Sequence, residues 1–236
     1  MLFRFLRYFG KYLDLYENRS DFCKAVVAPL LERNKTIIMT AFTYTTEGIF
    51  DVYRTFTKLG AMNKWMLMQD GVARSEHPLF SYACMGPEKE IVENIGKSAF
   101  GHDSIFDRLK GANAAFLHIG RPVPVGNTAI HHVEQLCGAT YRVPKAFKTQ
   151  VYRGDQYVGT DYSAYLRRRD VPEQDFIFTF QPAAEKLFKE KMVRQVGDES
   201  TFSNISYYRY DETLSFLERC FYEDPTVFIK TDFVQY

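Results

Sequence analysis

The chain has 236 residues, enough for one large domain or two small ones. Hydrophobic residues make up 46% of it and charged residues 25%, which is typical of a folded globular protein and excludes disorder of the whole chain as well as collagen-like or coiled-coil repeats. The 30 Lys and Arg and 29 Asp and Glu residues give a net charge of +1, so charge provides no reason to expect binding to nucleic acid or to an anionic membrane.

Strands and helices alternate in the first half of the chain. The sequence predicts a helix over Ser20–Arg33 with Ser20 as its N-cap, followed by a buried, β-branched strand over Thr36–Tyr44. Short helices are predicted over Gly60–Met68 and over Pro87–Ile95. The second segment begins with a proline and is followed by a glycine, which are the usual start and stop signals of a helix.

The alternation continues in the second half, where one hairpin is added. The predicted elements there are a short helix capped by Ser104, a buried strand over Ala114–Gly120, a helix over Thr128–Cys137, a hairpin that turns at Gly154 and Asp155, a strand over Phe176–Phe180, and helices over Pro182–Lys191 and Asp211–Glu223. This interleaving predicts a single α/β domain over residues 1–236, built in three layers around a mixed β-sheet.

The cysteines and the hydropathy pattern favour a cytoplasmic protein. The four cysteines are scattered without CxxC pairing, which argues against a disulfide framework or a zinc ribbon. No apolar run approaches the roughly 20 residues of a membrane-spanning helix. The apolar N-terminal segment is interrupted by Arg and Lys, so we expect no signal peptide, and either a surface anchor or a core element fits it.

The most specific pair of residues is His131 and Glu134. They stand three residues apart on the helix predicted over Thr128–Cys137, so they share one face. If Thr128 is the N-cap, His131 lies in the first turn, where the positive end of the helix favours a neutral imidazole. A neutral imidazole beside a carboxylate is suited to general base catalysis. An ordinary helix with a solvated face shows the same pattern, and no third ligand is spaced to complete a zinc site.

A second polar segment is Arg74-Ser75-Glu76-His77-Pro78, followed by Ser81. A residue before proline avoids helical geometry, so this segment is predicted to be a loop with several hydrogen-bond donors. Such a loop can hold phosphate or carbonyl groups, although an ordinary surface loop fits it as well. The chain has no Walker A sequence, no GxSxG elbow, no GxGxxG turn after a strand and no RxxGxG loop of the GNAT acetyltransferases.

Taken in order, these segments resemble the antibiotic N-acetyltransferase family, that of the aminoglycoside 3-N-acetyltransferases. The resemblance rests on the strand TIIMTAFTY, the RS-x-HP-x-x-S pattern within Arg74–Gly86, the segment HDSIFDRL, the strand AAFLHIG and the NTxxHxxE pattern of Asn127–Glu134. The tail from Asp175 to Ile229 also looks like the C-terminal half of the family. One departure lies at Phe5–Gly10, which lacks the family's His-Ser-Ser-like turn.

The resemblance implies transfer of an acetyl group from acetyl-CoA to an amine, without a metal. It assigns the catalytic dyad to His131 and Glu134. It places a set of polar residues around the CoA arm, namely Arg74, Ser75, His77, Ser81 and Ser104. Backbone N–H groups near Ser104 and the Thr128 hydroxyl are further candidates for cofactor binding and for stabilising an oxyanion. We expect direct attack by the amine, because no Ser or Thr nucleophile adjoins a base in the sequence.

The stretch from Tyr141 to Asp170 is basic and rich in tyrosine, and we interpret it as a hairpin insertion. It holds seven Lys and Arg against three Asp. Basic groups with interleaved aromatic rings suit a pyrophosphate and a stacked base. We therefore expect an acceptor diphosphate to be bound by Arg142, Lys145, Lys148 and Arg153.

These expectations favour a nucleotide-linked (dTDP or UDP) amino sugar, as used in surface polysaccharide synthesis, as the acceptor. If the basic stretch is only a solvated face, two alternatives remain. The protein is then an aminoglycoside 3-N-acetyltransferase that confers antibiotic resistance, or an inactive binding protein with the same fold. The sequence leaves the oligomeric state open, a homodimer included.

Overall fold

The computed structural model describes residues 18–119, 122–124, 127–170, 177–196 and 205–230. Phe5–Gly10, where the family's His-Ser-Ser-like turn was expected, lies outside this range. The helices are α1 (Arg19–Glu32), α2 (Ala61–Leu67), α3 (Ile105–Arg108), α4 (Ala129–Leu136), α5 (Gln181–Lys189) and α6 (Tyr210–Glu223), with a 3-10 turn at Lys89–Val92.

Short strands alternate with these helices along the chain. They are β1 (Ile37–Thr40), β2 (Ile49–Asp51), β3 (Ala73–Arg74), β4 (Tyr82–Met85), β5 (Ala115–Ile119), β6 (Arg142–Phe147), β7 (Gln150–Arg153), β8 (Gln156–Gly159), β9 (Tyr162–Arg167), β10 (Ile177–Phe178), β11 (Arg194–Gln195), β12 (Ile205–Arg209) and β13 (Ile229–Lys230). The chain therefore has the α/β composition predicted from its sequence.

The chain divides into two compact units. The first comprises the described parts of Met1–Ile105 and Lys145–Ala164, and the second those of Phe106–Pro144 and Tyr165–Tyr236. The single-domain organisation over residues 1–236 stays a prediction. The predicted insertion at 141–170 contributes residues to both units, because the chain passes between them within β6 and returns within β9.

The first unit contains one antiparallel and one mixed sheet. In the antiparallel sheet β4 lies between β1 and β3, and Cys84 is opposite both Ile38 and Ala73. In the other, β7 pairs in parallel with β2 and antiparallel with β8. The β7–β8 connection is the hairpin predicted from Gly154 and Asp155. The mixed pairing expected from the sequence is thus confirmed, although the strands form several small sheets.

Two apolar clusters fill the first unit. Phe50, Val151 and Tyr162 pack together behind the mixed sheet. Ala41, Met66 and Ala83 form the second cluster, so α2 packs against β1 and β4.

The second unit is built on a sheet in which β12 lies between β11 and β5, and on the helices α4, α5 and α6. Phe116 of β5 stacks on Tyr208 of β12, and Phe106 stacks on both Phe116 and His132. The Tyr210 hydroxyl donates to the Phe106 carbonyl. Helix α6 packs against α4, which fixes the helix that carries His131 and Glu134.

Several local predictions are wrong in detail. The N-cap of α1 is Asn18 and not Ser20, because the Asn18 Oδ1 accepts from the backbone N–H groups of Ser20 and Asp21. The segment 87–95 forms only the 3-10 turn. Strand β5 was expected to be buried on both faces, yet Leu117 is 49% exposed, since an antiparallel sheet can leave one face to solvent.

Two other sequence observations agree with the structure. All four cysteines are free thiols. Within the described residues, no helix is both long and apolar enough to cross a membrane.

Gly86 provides a direct test of the packing after β4. Its φ is +119°, and a Cβ built there would lie 2.7 Å from the Lys35 carbonyl oxygen and from the Thr36 Cα. We expect Gly86→Ala to lower the free energy of unfolding by about 2–4 kcal/mol, because the clash is with backbone and adds to the strain of the positive φ. Gly48→Ala is the matched control: its φ is +76° with no atom within 4 Å, and about 1 kcal/mol is expected. Equal losses in urea unfolding would contradict this reading.

The burial of His77 in its neutral form can be tested through the pH dependence of stability. Burial lowers the pKa of His77 from 6.5 to about 4, and its Nδ1 accepts from the N–H groups of Leu79 and Phe80. The unfolded chain takes up this proton at a higher pH than the folded chain, so stability must fall as the pH drops from about 6.5 to about 4. The contribution is about 3 kcal/mol.

His77→Gln removes that titration, so its unfolding free energy should depend less on pH between 6.5 and 4, whatever its absolute stability. His102→Gln is the control for loss of a histidine at an exposed position. If urea unfolding gave His77→Gln the parent's pH slope, neutral burial of His77 would be disproved.

Candidate active site

Helix α4 carries the predicted dyad in the second unit. His131 Nδ1 lies 2.7 Å from Glu134 Oε2, one turn along the same helix face. The backbone N–H of His131 bonds to the Thr128 carbonyl, so His131 lies in the first turn as expected. The Thr128 side chain makes no capping hydrogen bond, and its backbone is already helical. The sequence therefore located the helix start correctly but not its capping.

The two partners of this contact differ in exposure. The Glu134 side chain is 1% exposed, whereas that of His131 is 32% exposed. When Glu134 is ionised its oxygen only accepts hydrogen bonds, so His131 Nδ1 is then the nitrogen that donates to it. The basic lone pair is then on Nε2. This is the tautomer that a general base requires when its Nδ1 is oriented by a carboxylate.

Glu134 has a second contact, with a cation, that the sequence patterns did not predict. Arg142 Nε lies 2.6 Å from Glu134 Oε2, the same oxygen that contacts His131. Tyr141 also interacts with the carboxylate: burial raises the pKa of its phenol, and Glu134 raises it further. The phenol therefore stays protonated, as a donor. No spacing in the sequence indicates this pair, because Arg142 stands eight residues after Glu134 and the chain turns between them.

His131 and Glu134 lie in the wall of a pocket of about 440 Å³ in the second unit. The described residues that line it are Pro124, Asn127, Thr128, Ile130, His131, Glu134, Arg142, Phe178, Thr179, Phe180 and Phe228. The wall combines three phenylalanine rings with a few polar groups. A concave, mostly apolar site with a small polar cluster is the usual form of a small-molecule site.

Asn127 was part of the NTxxHxxE pattern, but the sequence analysis gave it no role. Its side chain is buried, and its Oδ1 accepts from the Tyr208 hydroxyl at 2.9 Å. This contact fixes the orientation of the carboxamide. Its Nδ2 has no hydrogen-bond partner within the described part of the chain.

The predicted CoA loop belongs to the first unit, where its polar groups are largely engaged within the protein. The buried Arg74 guanidinium donates to the carbonyls of Ala41 and Val52 and to Ser81 Oγ. Ser81 Oγ in turn donates to the Ala41 carbonyl. Burial lowers the pKa of Arg74 to about 10, so the group stays charged at neutral pH.

Ser75, His77 and Ser104 are equally buried. Ser75 Oγ accepts from the Tyr82 N–H, and His77 Nε2 contacts the Ser163 carbonyl. Ser104 Oγ differs, because it is buried without a hydrogen-bond partner among the residues described. The structure thus brings Arg74, Ser75, His77 and Ser81 into one internally bonded loop, and their direct contact with CoA stays a prediction.

The four basic residues assigned to a diphosphate have different surroundings. Arg142 pairs with Glu134, and Arg153 Nη2 lies 2.8 Å from Glu76 Oε1. Lys145 and Lys148 are exposed. Arg142 belongs to the second unit and the other three to the first. Joint binding of a diphosphate by these four groups stays a prediction.

Comparisons with known proteins agree with the fold. The aminoglycoside 3-N-acetyltransferase family model matches residues 27–206, more than half of the chain. No protein of curated function matches.

Solved structures of low identity share the fold. Aminoglycoside acetyltransferase AAC(3)-Xa is 17% identical with a TM-score of 0.72, over 85% of this chain and 80% of its own. AAC-IIIb, solved as a binary complex with CoASH, is 16% identical with a TM-score of 0.68, over 85% and 83%. YokD from Bacillus subtilis is 18% identical with a TM-score of 0.66, over 86% of both chains.

The family match confirms the resemblance read from the RS-x-HP-x-x-S and NTxxHxxE patterns. The chain belongs to the aminoglycoside 3-N-acetyltransferase family, and it is an N-acetyltransferase that uses acetyl-CoA as co-substrate.

Proposed function

We propose that the protein acetylates the amine of a nucleotide-linked amino sugar by direct attack, with His131 as the general base and Glu134 as the residue that orients it. The observation that carries the proposal is the 2.7 Å contact between His131 Nδ1 and Glu134 Oε2 in the wall of the pocket. A base on a helix, locked by a buried carboxylate, is positioned before the substrate arrives.

The role of His131 follows from its tautomer. With Nδ1–H donated to Glu134, Nε2 can accept a proton from the acceptor's ammonium or from the attacking amine. The resulting imidazolium is stabilised by the Glu134 carboxylate beside it. Acetyl-CoA supplies a thioester carbonyl as the acyl donor when it is bound.

The residues assigned to the co-substrate fit it unequally. Thr128 lines the pocket, and Ser104 Oγ is a buried hydroxyl with no partner among the described residues, so both offer hydrogen bonds to a ligand. Arg74, Ser75, His77 and Ser81 use their polar groups to hold their loop together. We propose that these four hold their own loop in shape, and that the hydroxyl groups of Thr128 and Ser104 are each available to the co-substrate.

The charge of the pocket supports an acceptor other than a polycation. Within the described lining, Glu134 is the one acidic residue, and Arg142 pairs with it. A site for a polycationic aminoglycoside should present a surplus of carboxylates. The wall instead offers apolar surface from Phe178, Phe180 and Phe228, which suits contact with a sugar or a base. The exposed Lys145 and Lys148 are the basic groups that remain for a diphosphate.

An aminoglycoside is the second candidate, and it is favoured by the family. Aminoglycoside acetyltransferase AAC(3)-IVa has been solved in complex with apramycin, and AAC-VIa with sisomicin. Under this alternative the acceptor amine still meets His131, but the basic stretch is only a solvated face.

Replacement of the base tests the mechanism. His131→Asn should keep the fold and acetyl-CoA binding but lower kcat by about 10²–10⁴, the usual contribution of a general base. Free thiol release measures turnover, and the thermal shift with acetyl-CoA measures binding. His102→Asn is the control at an exposed histidine and should leave kcat unchanged. Near-parent turnover in His131→Asn would remove His131 from the mechanism.

A second experiment identifies the acceptor. Thiol release should be compared between UDP- or dTDP-amino sugars and kanamycin-type aminoglycosides at low and high salt. We expect turnover of the nucleotide sugars, with a KM that rises with salt because screening weakens the diphosphate contacts. Lys148→Glu should raise that KM about tenfold, the loss of one charge-assisted bond, and leave the KM for acetyl-CoA unchanged.

Two outcomes would contradict this assignment. Turnover of kanamycin-type amines alone, improved by Lys148→Glu, would establish the aminoglycoside alternative. No turnover of any amine, with acetyl-CoA bound, would indicate an inactive binding protein.

A further inference from the structure

We propose that Arg142 is a positioning residue: it is the counter-ion that keeps Glu134 ionised and His131 neutral, and it thereby sets the pH range in which His131 accepts a proton. The inference rests on the proposed role of His131 as the base. It differs from the expectation that Arg142 binds a substrate diphosphate.

The first observation is that two cationic or potentially cationic groups share one carboxylate oxygen. Glu134 Oε2 lies 2.7 Å from His131 Nδ1 and 2.6 Å from Arg142 Nε. The side chains of Glu134 and Arg142 are 1% and 7% exposed, so water screens their charges little. A carboxylate removed from water in this way needs a cation nearby, and Arg142 is charged at every relevant pH.

The second observation is that Arg142 is held from several sides. Its Nη1 donates to the Tyr165 carbonyl at 3.2 Å, and its guanidinium carbon lies 4.8 Å from the centre of the Phe178 ring. Its backbone N–H donates to the Ala139 carbonyl, which also accepts from the Tyr165 hydroxyl. These contacts hold the cation on Glu134 without any help from a ligand.

The other titratable groups around the pair do not replace this cation. Tyr141 and Tyr165 are phenols whose pKa values burial raises, so both stay neutral. Arg167 lies over the ring of Phe178, 5.1 Å from its centre. On α4 itself, His132 stacks on Phe106. From α6, Tyr222 and Glu218 interact with Cys137, beyond the end of α4.

The consequence of losing the cation follows from charge balance. With Arg142 in place, Glu134 is already compensated, and His131 can remain neutral and accept a proton. Without Arg142, the buried carboxylate would be compensated by a proton on His131, because the neutral phenol of Tyr141 supplies no positive charge. His131 would then be an imidazolium at neutral pH and could not act as a base until the pH was raised.

The experiment compares Arg142→Met with Arg142→Lys in the full chain. Methionine keeps much of the volume without the charge, and lysine keeps the charge without the planar guanidinium. Arg168→Met is the matched control, because Arg168 pairs with Asp170 at an exposed position. Thermal unfolding verifies that each variant is folded.

The primary measurement is independent of the acceptor. Imidazole NMR of histidine-labelled protein follows the five histidines against pH, and the spectrum of His131→Asn assigns the His131 signal. We expect the protonation midpoint of His131 to move up by about one pH unit or more in Arg142→Met. Arg142→Lys and Arg168→Met should stay near the parent. An unchanged midpoint in a folded Arg142→Met would overturn the proposal.

Kinetics provide the second measurement. At pH 7, kcat of Arg142→Met should fall about 10–100-fold and recover at high pH, because deprotonation restores the base. The double variant Glu134→Gln/Arg142→Met should keep the His131 midpoint of Glu134→Gln alone, since no carboxylate remains to be compensated. An equal loss of kcat at every pH would indicate a purely structural role. A rise only in KM for a nucleotide sugar would indicate diphosphate binding. Either result would overturn the proposal.

If the NMR midpoint moves but His131→Asn retains full turnover, the counter-ion role stands and the base assignment fails. The two proposals can therefore fail separately.

Discussion

A single buried carboxylate constrains the second unit. Glu134 is almost completely removed from water, and an uncompensated charge there would cost several kcal/mol. Three neighbours contact the carboxylate. His131 comes from the same helix, α4, and Tyr141 and Arg142 come from the chain where β6 begins. The Ala139 N–H bonds to the Glu134 carbonyl, so the chain turns sharply after α4 and returns the arginine to the carboxylate. The turn and the dyad are thus parts of one arrangement.

Arg74 and Arg142, which are both buried, show that the partner of an arginine decides its role. Arg74 is bonded to backbone carbonyls and to Ser81, all uncharged, and burial depresses its pKa. It ties β1, the segment after β2 and β4 of the first unit together through their carbonyls. Arg142 lies on a carboxylate that also contacts a histidine. Arg74 therefore stabilises the local fold, whereas the charge of Arg142 acts through Glu134 on the protonation of His131.

Much of the site could be predicted from the sequence because its spacing is local. His131 and Glu134 lie three residues apart, and helical geometry alone brings them to one face. The β7–β8 hairpin followed from a glycine that the structure places at φ +65°. In contrast, the pairing of Arg142 with Glu134 depends on the turn after Gly138 and on β9, which supplies the Tyr165 carbonyl. Sequence spacing cannot show a contact that requires two further elements to be in place.

The fold, like the site, was predictable only in part. Most helices and the strands β1, β5, β7, β8 and β10 followed from periodicity and from proline and glycine signals. Strands β2, β4 and β12 were not predicted, and the extent of individual elements did not follow from the sequence. The segment 87–95 has the proline and glycine of a helix, yet only one 3-10 turn forms at Lys89–Val92. The exposure of Leu117 depends on what covers β5, which is a property of tertiary packing. The N-cap of α1 was misplaced by two residues because Asn18 and Ser20 are both good capping residues.

The charge balance of the pocket links the base to the choice of acceptor. Because Arg142 already compensates Glu134, the described wall of the pocket has no surplus negative charge to offer an ammonium group. On the proposed mechanism, an amine therefore enters this site most favourably with loss of its proton, and His131 Nε2 is the group that can take it. An acceptor with one amine has to lose only one proton. A polycation would bring further ammonium groups toward Arg142, each at an electrostatic cost that a wall with one compensated carboxylate does not offset.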